Sequence, residues 1–418
     1  MYIKTRSIVL FCIGVVFFAT LGGGKYFLAN RFQELGILFS LILFFFSAFL
    51  AALNVRDKDL NWSFWFFSPI VFVCYTMVLP AYIFSSNNGV AMLPSVAACR
   101  EFLAVFIAPA LYFLYRLGLT VKEIERAFVT TLVVLAISYL VHYFRMNLEA
   151  AYFSPDHSVS SLVTFDPWRG YRLRPPTVAM FIITLVAPIK LFYARSPLVK
   201  LAWGAFICIL AYIWFINSQR TASASLLASV MIYHFMFAKK ARIGLFFAAL
   251  PIIIAVTTVG IRILFQHLST LDPEFDGVRY KSYTIAWEVI KQNPIFGFGQ
   301  QSYSTKTEQD LLWWKFHSSD LGMIGVTFKY GFSGAILYVL ISYLILSRTI
   351  STIWRYRKNF GESNALLFAL FVFYISTTIV FILQTKYIFM PGLSMVCLGL
   401  ALTSIYKHRF SSLESSRT

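Results

Sequence analysis

The chain has 418 residues, of which 59% are hydrophobic and only 13% charged, with 44 Phe, 23 Tyr, 9 Trp and a mean hydropathy of +0.71. Soluble domains carry about 25% charged residues, so this composition cannot clothe a water-facing surface. It equally excludes a disordered chain, a collagen-like repeat and a secreted disulfide scaffold. Cys12, Cys74, Cys99, Cys208 and Cys397 fall in apolar stretches without CxxC or metal-ligand spacing and read as small core hydrophobes.

A helix needs about 20 mostly apolar residues to cross a ~30 Å hydrocarbon core. In chain order, runs free of Asp, Glu, Lys and Arg occur at Ser7–Gly24, Leu35–Val55, Leu60–Cys99, Ala127–Phe144, Pro175–Ile189, Leu201–Gln219, Thr221–Ala238, Ile243–Ile261, Tyr330–Ser347, Ser363–Thr385 and Tyr387–Tyr406. The Leu60–Cys99 run predicts one span, broken at Pro80 and again at Ser85–Gly89, and the start of a second. That second span continues through the adjacent pair Arg100 and Glu101 to about Tyr115. The reading is an all-α polytopic membrane protein of twelve transmembrane helices. The first run follows Lys4 and Arg6 as a signal peptide would, but no small-x-small cleavage site follows Thr20, so it reads as an uncleaved span.

Lys and Arg in short loops stay cytoplasmic. With both termini inside, every short inner loop is basic, and the long polar segments Arg145–Arg174 and Arg262–Asp320 fall outside with the hairpin Ser218-Gln219-Arg220. The expected organisation is helices 1–5 in residues 1–144, a first periplasmic loop 145–176 and helices 6–9 in 177–261. A large loop 262–320 then caps the protein between helices 9 and 10, and residues 321–418 hold helices 10–12 and a cytoplasmic tail. Much of the net charge of +18 is thereby topological, and nucleic acid is not an expected partner.

Outside, the rule predicts few cations, yet Arg169, Arg172 and Arg174 cluster beside a helix mouth. Guanidinium forks suit phosphate oxygens; interfacial arginines also snorkel to headgroups. In the second loop, Tyr283, Trp287 and Ile290 recur at helical spacing over Tyr280–Lys291. The helix stops at Asn293-Pro294, a glycine turn follows through Gly297 and Gly299, and Trp313, Trp314, His317 and Asp320 precede a helix containing Gly322, Gly325, Gly331 and Gly334. The paired tryptophans fit an interfacial belt or a sugar-stacking site. Asp320 reads either as an N-cap or as a partner three residues along one helix face from His317.

An Arg closing a short outer hairpin (Arg220), an Arg heading a helix with Trp (Arg279, Trp287), Pro-x-x-Gly-x-Gly (Pro294, Gly297, Gly299) and a His before a glycine-containing helix (His317, Gly322, Gly325, Gly331) form an ordered set. With the twelve-helix topology, and over roughly Pro175 to Tyr406, it resembles the O-antigen ligase and polysaccharide polymerase superfamily. The resemblance implies a bacterial inner-membrane glycosyltransferase with a GT-C-like fold, acting at the periplasmic face on a glycan carried by undecaprenyl pyrophosphate, with no metal or other cofactor. It further implies that Arg220 and Arg279 hold the pyrophosphate and that His317 activates the acceptor hydroxyl. Arg169, Arg172, Arg174, Trp313, Trp314 and Asp320 are expected to contact substrate.

The chemistry asks for such groups independently. Fixed guanidinium charge stabilises a departing pyrophosphate where other enzymes use a divalent cation, and imidazole has a pKa near the working range of a base. Many ligases follow the histidine with Asn, whereas Ser318-Ser319-Asp320 here favours a repeat-unit polymerase. The acceptor readings are lipid A core, the end of a lipid-linked chain, or a protein serine as in an O-oligosaccharyltransferase. A chain-length regulator protein is a further partner in the polymerase reading. The rival of another class is a lipid-linked-oligosaccharide flippase or other transporter, against which stand the clean apolar runs and the lack of an inverted repeat.

Overall fold

The computed structural model describes residues 3–26, 31–54, 62–166, 170–217, 226, 254, 273–299, 311–313, 316, 318, 321–356, 365–381 and 390–415. Its main helices are α1 (Ile3–Thr20), α2 (Arg31–Asn54), α3 (Ser63–Asn88), α4 (Met92–Ala98 continued by Arg100–Arg116), α5 (Val121–Arg145) and α6 (Thr177–Tyr193). They continue with α7 (Pro197–Asn217), α8 (Pro273–Gln292), α9 (Met323–Tyr356), α10 (Ala365–Phe381) and α11 (Met390–Ser415). One hairpin, β1 (Val163–Asp166) and β2 (Gly170–Leu173), lies between α5 and α6.

Among the described residues, five helices are long and apolar enough to cross a membrane: Glu34–Asn54 within α2, α3, α5, α7 and Met323–Arg355 within α9. The two parts of α4, bent by 53°, make a sixth if they count as one span, and Arg6–Thr20, Thr177–Tyr193 and Ala365–Ser376 are shorter apolar helices. The expected helices at Thr221–Ala238 and Ile243–Ile261 lie outside the described residues, apart from Leu226 and Ile254. Helix α2 shows the physics of a span. Ile37, Phe44, Ala48 and Ala51 are buried against neighbours, while Leu38, Ile42, Phe45, Phe49 and Leu53 point outward at three- and four-residue spacing. A helix apolar on both faces is at home only where its outer side meets lipid.

One large core runs through the bundle, with Phe17, Phe44, Phe113, Phe128, Tyr139, Trp214 and Phe373 almost wholly buried. Helix α1 packs on α2 and α5, α2 on α4, α6 on α7 and α10, and α9 on α8, α10 and α11. Two buried polar pairs join helices across this core, as burial favours. Trp214 Nε1 donates to Thr184 Oγ1 at 2.8 Å, and Lys190 meets Glu125 at 2.8 Å between α6 and α5. Helix α5 opens with a capping box, Thr120 and Glu123 satisfying each other's backbone N–H groups.

The structure revises three local expectations. Pro80 does not break α3: π-helical turns at Ser63–Phe67 and Cys74–Val78 precede Pro69 and Pro80. The wider turn accommodates a residue that lacks an N–H and crowds the carbonyl four positions back. The helix ends instead at Gly89, whose φ of 64° is left-handed. The pair Arg100-Glu101 sits at the α4 bend rather than within a straight span, and Arg100 reaches Glu34 at the start of α2 at 3.1 Å. Finally, Cys99 and Cys397 are buried, but Cys74 and Cys208 lie exposed on the helix surfaces.

Candidate functional site

The first polar segment is anchored from below by two tyrosines. In the β hairpin Val163 pairs with Leu173, both buried, and Asp166 with Gly170. Tyr139 of α5 donates to the Leu173 carbonyl at 3.4 Å, and Tyr26, in the turn between α1 and α2, donates to the Arg174 carbonyl at 2.7 Å. Arg174 is exposed at this mouth. Beside it Lys25 has an exposed surface but a crowded base, and desolvation pulls its ammonium pKa below the usual lysine value. Arg174 adds to that fall and Glu101 opposes it. Arg172 is committed to the scaffold: its Nη1 donates to the carbonyl of Asn217 at 3.1 Å, at the last residue of α7. A guanidinium there complements the negative end of the helix dipole. It ties the hairpin to a strand of chain that reaches Arg220 three residues later.

The second polar segment builds its own small core. Ser282, Ala286, Val289 and Ile290 form the buried row of α8, and Trp287 is exposed, so the buried stripe is turned from the Tyr283–Trp287–Ile290 row that spacing suggested. The difference arises because Phe316, Leu321 and Phe328 pack against Ala286 and Ile290, and Tyr283 is only partly buried beside them.

The Pro-x-x-Gly-x-Gly stretch is a clasp of backbone on backbone. Phe298 N donates to Phe328 O at 2.7 Å and Gly299 N to Lys329 O at 3.0 Å; in return Phe332 N donates to Pro294 O at 2.8 Å. Helix α9 opens to allow this at Gly331, with φ 67° and ψ −170°. A Cβ on Gly297 would stand 2.5 Å from Gly331 N, and one on Gly299 would stand 2.6 Å from the Pro80 carbonyl of α3. Because these N–H groups are spent on carbonyls, the motif orients α8 against α9 rather than cradling a phosphate. Ser333 extends the clasp, its Oγ lying 2.7 Å from both Ile295 O and the Tyr75 hydroxyl.

Helix α9 begins at Met323, after Gly322 in the left-handed region at φ 59°. Leu321 and Gly322 form a bend and turn ahead of the helix, and Asp320 lies outside the described residues. Phe316 is fully buried and Ser318 nearly so, and a Cβ on Gly325 would collide with the Ser318 carbonyl. The positions on either side of 317 are therefore pinned. Trp313 packs on the same core, and the ammonium of Lys281 stands 4.5 Å from its ring centre, covering one aromatic face.

Of the residues expected to act, Arg172, Arg174 and Trp313 are described, and Arg279 is described as a backbone position in α8. His317, Arg220, Arg169, Trp314 and Asp320 lie outside the described residues. The part of α4 that follows the bend meets α9, with Phe102 edge-on to Tyr330 at 6.4 Å between ring centres. Lys25 and Lys329 were not among the candidate site residues because nothing in linear spacing marks a lone lysine. His142 directs Nδ1 to the Ser138 carbonyl at 2.8 Å within its own helix, a structural use. Among the described residues no three His, Cys, Asp or Glu side chains gather as a metal-ligand set.

Residues 203–339 match the family model described as O-Antigen ligase. The matched third of the chain contains Arg220, Arg279 and His317, the whole clasp and the first half of α9, and it supports a likeness to the O-antigen ligase and polymerase superfamily. No curated protein matches the chain.

Proposed function

We propose that the protein is an inverting glycosyltransferase that moves a glycan from undecaprenyl pyrophosphate to an acceptor hydroxyl at the periplasmic face of a bacterial inner membrane. The observation that carries this reading is the O-antigen ligase match over 203–339, which holds all three expected catalytic residues in one segment. It is supported by the clasp, which fixes the helix carrying Arg279 against the helix that follows His317. In this reading Arg220 and Arg279 take up the charge that develops on the departing pyrophosphate, and direct displacement inverts the anomeric centre. Guanidinium forks do this without reorganising at the moment of reaction. His317 accepts the proton of the attacking hydroxyl opposite the leaving group.

Arg174 and the neighbouring Lys25 add positive charge beside the first polar segment, in keeping with an anionic donor. Trp313, with Lys281 across one face, retains only its other face for a sugar ring. Transfer proceeds without a divalent cation and persists in EDTA; recovery of chelated activity by Mg²⁺ or Mn²⁺ would instead implicate Asp272, Glu274 and Asp276.

Ser318-Ser319-Asp320 after His317 favours the end of a lipid-linked chain as acceptor, which makes the protein a repeat-unit polymerase. Deleting the gene and reading surface polysaccharide on a gel tests this. Single repeat units on the usual acceptor are expected; long chains stranded on undecaprenyl pyrophosphate would mean a ligase. Unflipped single units on the cytoplasmic face would sink both in favour of a transporter.

A further inference from the structure

At the opposite end of the bundle a cavity of about 730 Å³ opens between Asn54 at the end of α2, Tyr115 and Arg116 at the end of α4, the turn through Gly118 and Thr120, Lys122 of α5, and His408 and Arg409 of α11. Helix α5 separates it from the Arg174 mouth, and its 25 residues rise about 37 Å. We propose that this cavity binds the phosphate of an anionic phospholipid headgroup, a site distinct from the transfer site.

Charge is the first ground. Arg116, Lys122 and Arg409 line the cavity together with His408, and among the described residues no lining residue is acidic. Arg116 and Arg409 belong to helices almost three hundred residues apart in sequence, yet both line this one cavity. The edge-on contact of Tyr115 with His408, 5.9 Å between ring centres, joins the two helices there. A phosphate bound there accepts hydrogen bonds from guanidinium forks and from the ammonium of Lys122.

Size and place are the second ground. The volume lies within the roughly 300–1,000 Å³ of small-molecule sites, well above the ~30 Å³ that one water occupies. The cavity sits where α2 and α4 end and α5 begins, at the boundary that headgroups occupy, and Leu119 and Val121 give it an apolar edge for the glycerol and first acyl carbons. A soluble phosphate has no use for that edge or position.

Native mass spectrometry of the full chain in detergent, titrated with dioleoylphosphatidylglycerol or dioleoylphosphatidylcholine, tests the site. Retention of the anionic lipid is expected, with a loss of roughly fivefold for Lys122→Gln alone and on the order of 100-fold for Arg116→Gln, Lys122→Gln and Arg409→Gln together. Neutralising three exposed basic residues outside the cavity, Arg195→Gln, Lys200→Gln and Arg355→Gln, should leave retention near wild type. Equal losses in the two triple variants, or none in the cavity variant, would overturn the proposal. So would displacement of the lipid by millimolar inorganic phosphate, which would assign the cavity to a soluble anion. If the triple variant melts early, Lys122→Gln decides alone, because that exposed side chain carries no packing.

Discussion

At the residue scale the proposed chemistry turns on fork geometry and on one imidazole. Arg279→Lys retains the charge but cannot make two parallel bonds, so a fall in transfer of roughly 10²-fold is expected in an assay with purified lipid-linked donor. Activity near wild type would reassign Arg279 to lipid headgroups. His317→Ala is expected to remove the general base, costing on the order of 10²–10⁴-fold, while membrane insertion and melting temperature stay unchanged. Arg172 and Arg174, adjacent but one in sequence, divide their work. The first spends its guanidinium on Asn217 O, while the second offers only its carbonyl to Tyr26 and keeps its side chain exposed.

At the scale of elements the clasp is what converts sequence spacing into a site. Gly331 is the sharpest test: its φ is 67°, and a Cβ there would run into Ile295 O. Gly331→Ala should therefore cost about 3 kcal/mol or more, combining strain with separation of the 294–299 turn from α9. Gly22→Ala is the comparison, since φ is 89° there but nothing lies within 4 Å of the added carbon, leaving strain of about 1–2 kcal/mol. Thermal melting in detergent, read beside transfer activity, should show the first variant losing both and the second retaining transfer. Equal shifts in the two would remove the clasp from the account.

For the whole molecule, the apolar outer faces of α2 and α9 require a bilayer, and the proposed orientation places 262–320 in the periplasm. A cysteine at Ser302 should react with an impermeant maleimide in intact spheroplasts, once the exposed native Cys74 and Cys208 are replaced by Ala. Protection there, with labelling after lysis, would invert the topology and move the transfer site to the cytoplasm.

Membership of the membrane class, the approximate positions of most of the described helices and the ordered set of Arg220, Arg279, Pro294, Gly297, Gly299 and His317 could be read from the chain alone. Hydrophobic run length and glycine spacing are local quantities that water, lipid and backbone sterics impose on any fold. What those glycines touch could not be read, because a close approach involves a partner distant in sequence: Gly299 meets Pro80, and Gly297 meets Gly331. The π turns that carry α3 through Pro80, the buried row of α8 and the tie from Arg172 to Asn217 were likewise decided by tertiary packing. In each case the alternatives were of similar local energy, and a neighbouring helix selected one by what it buried or bonded.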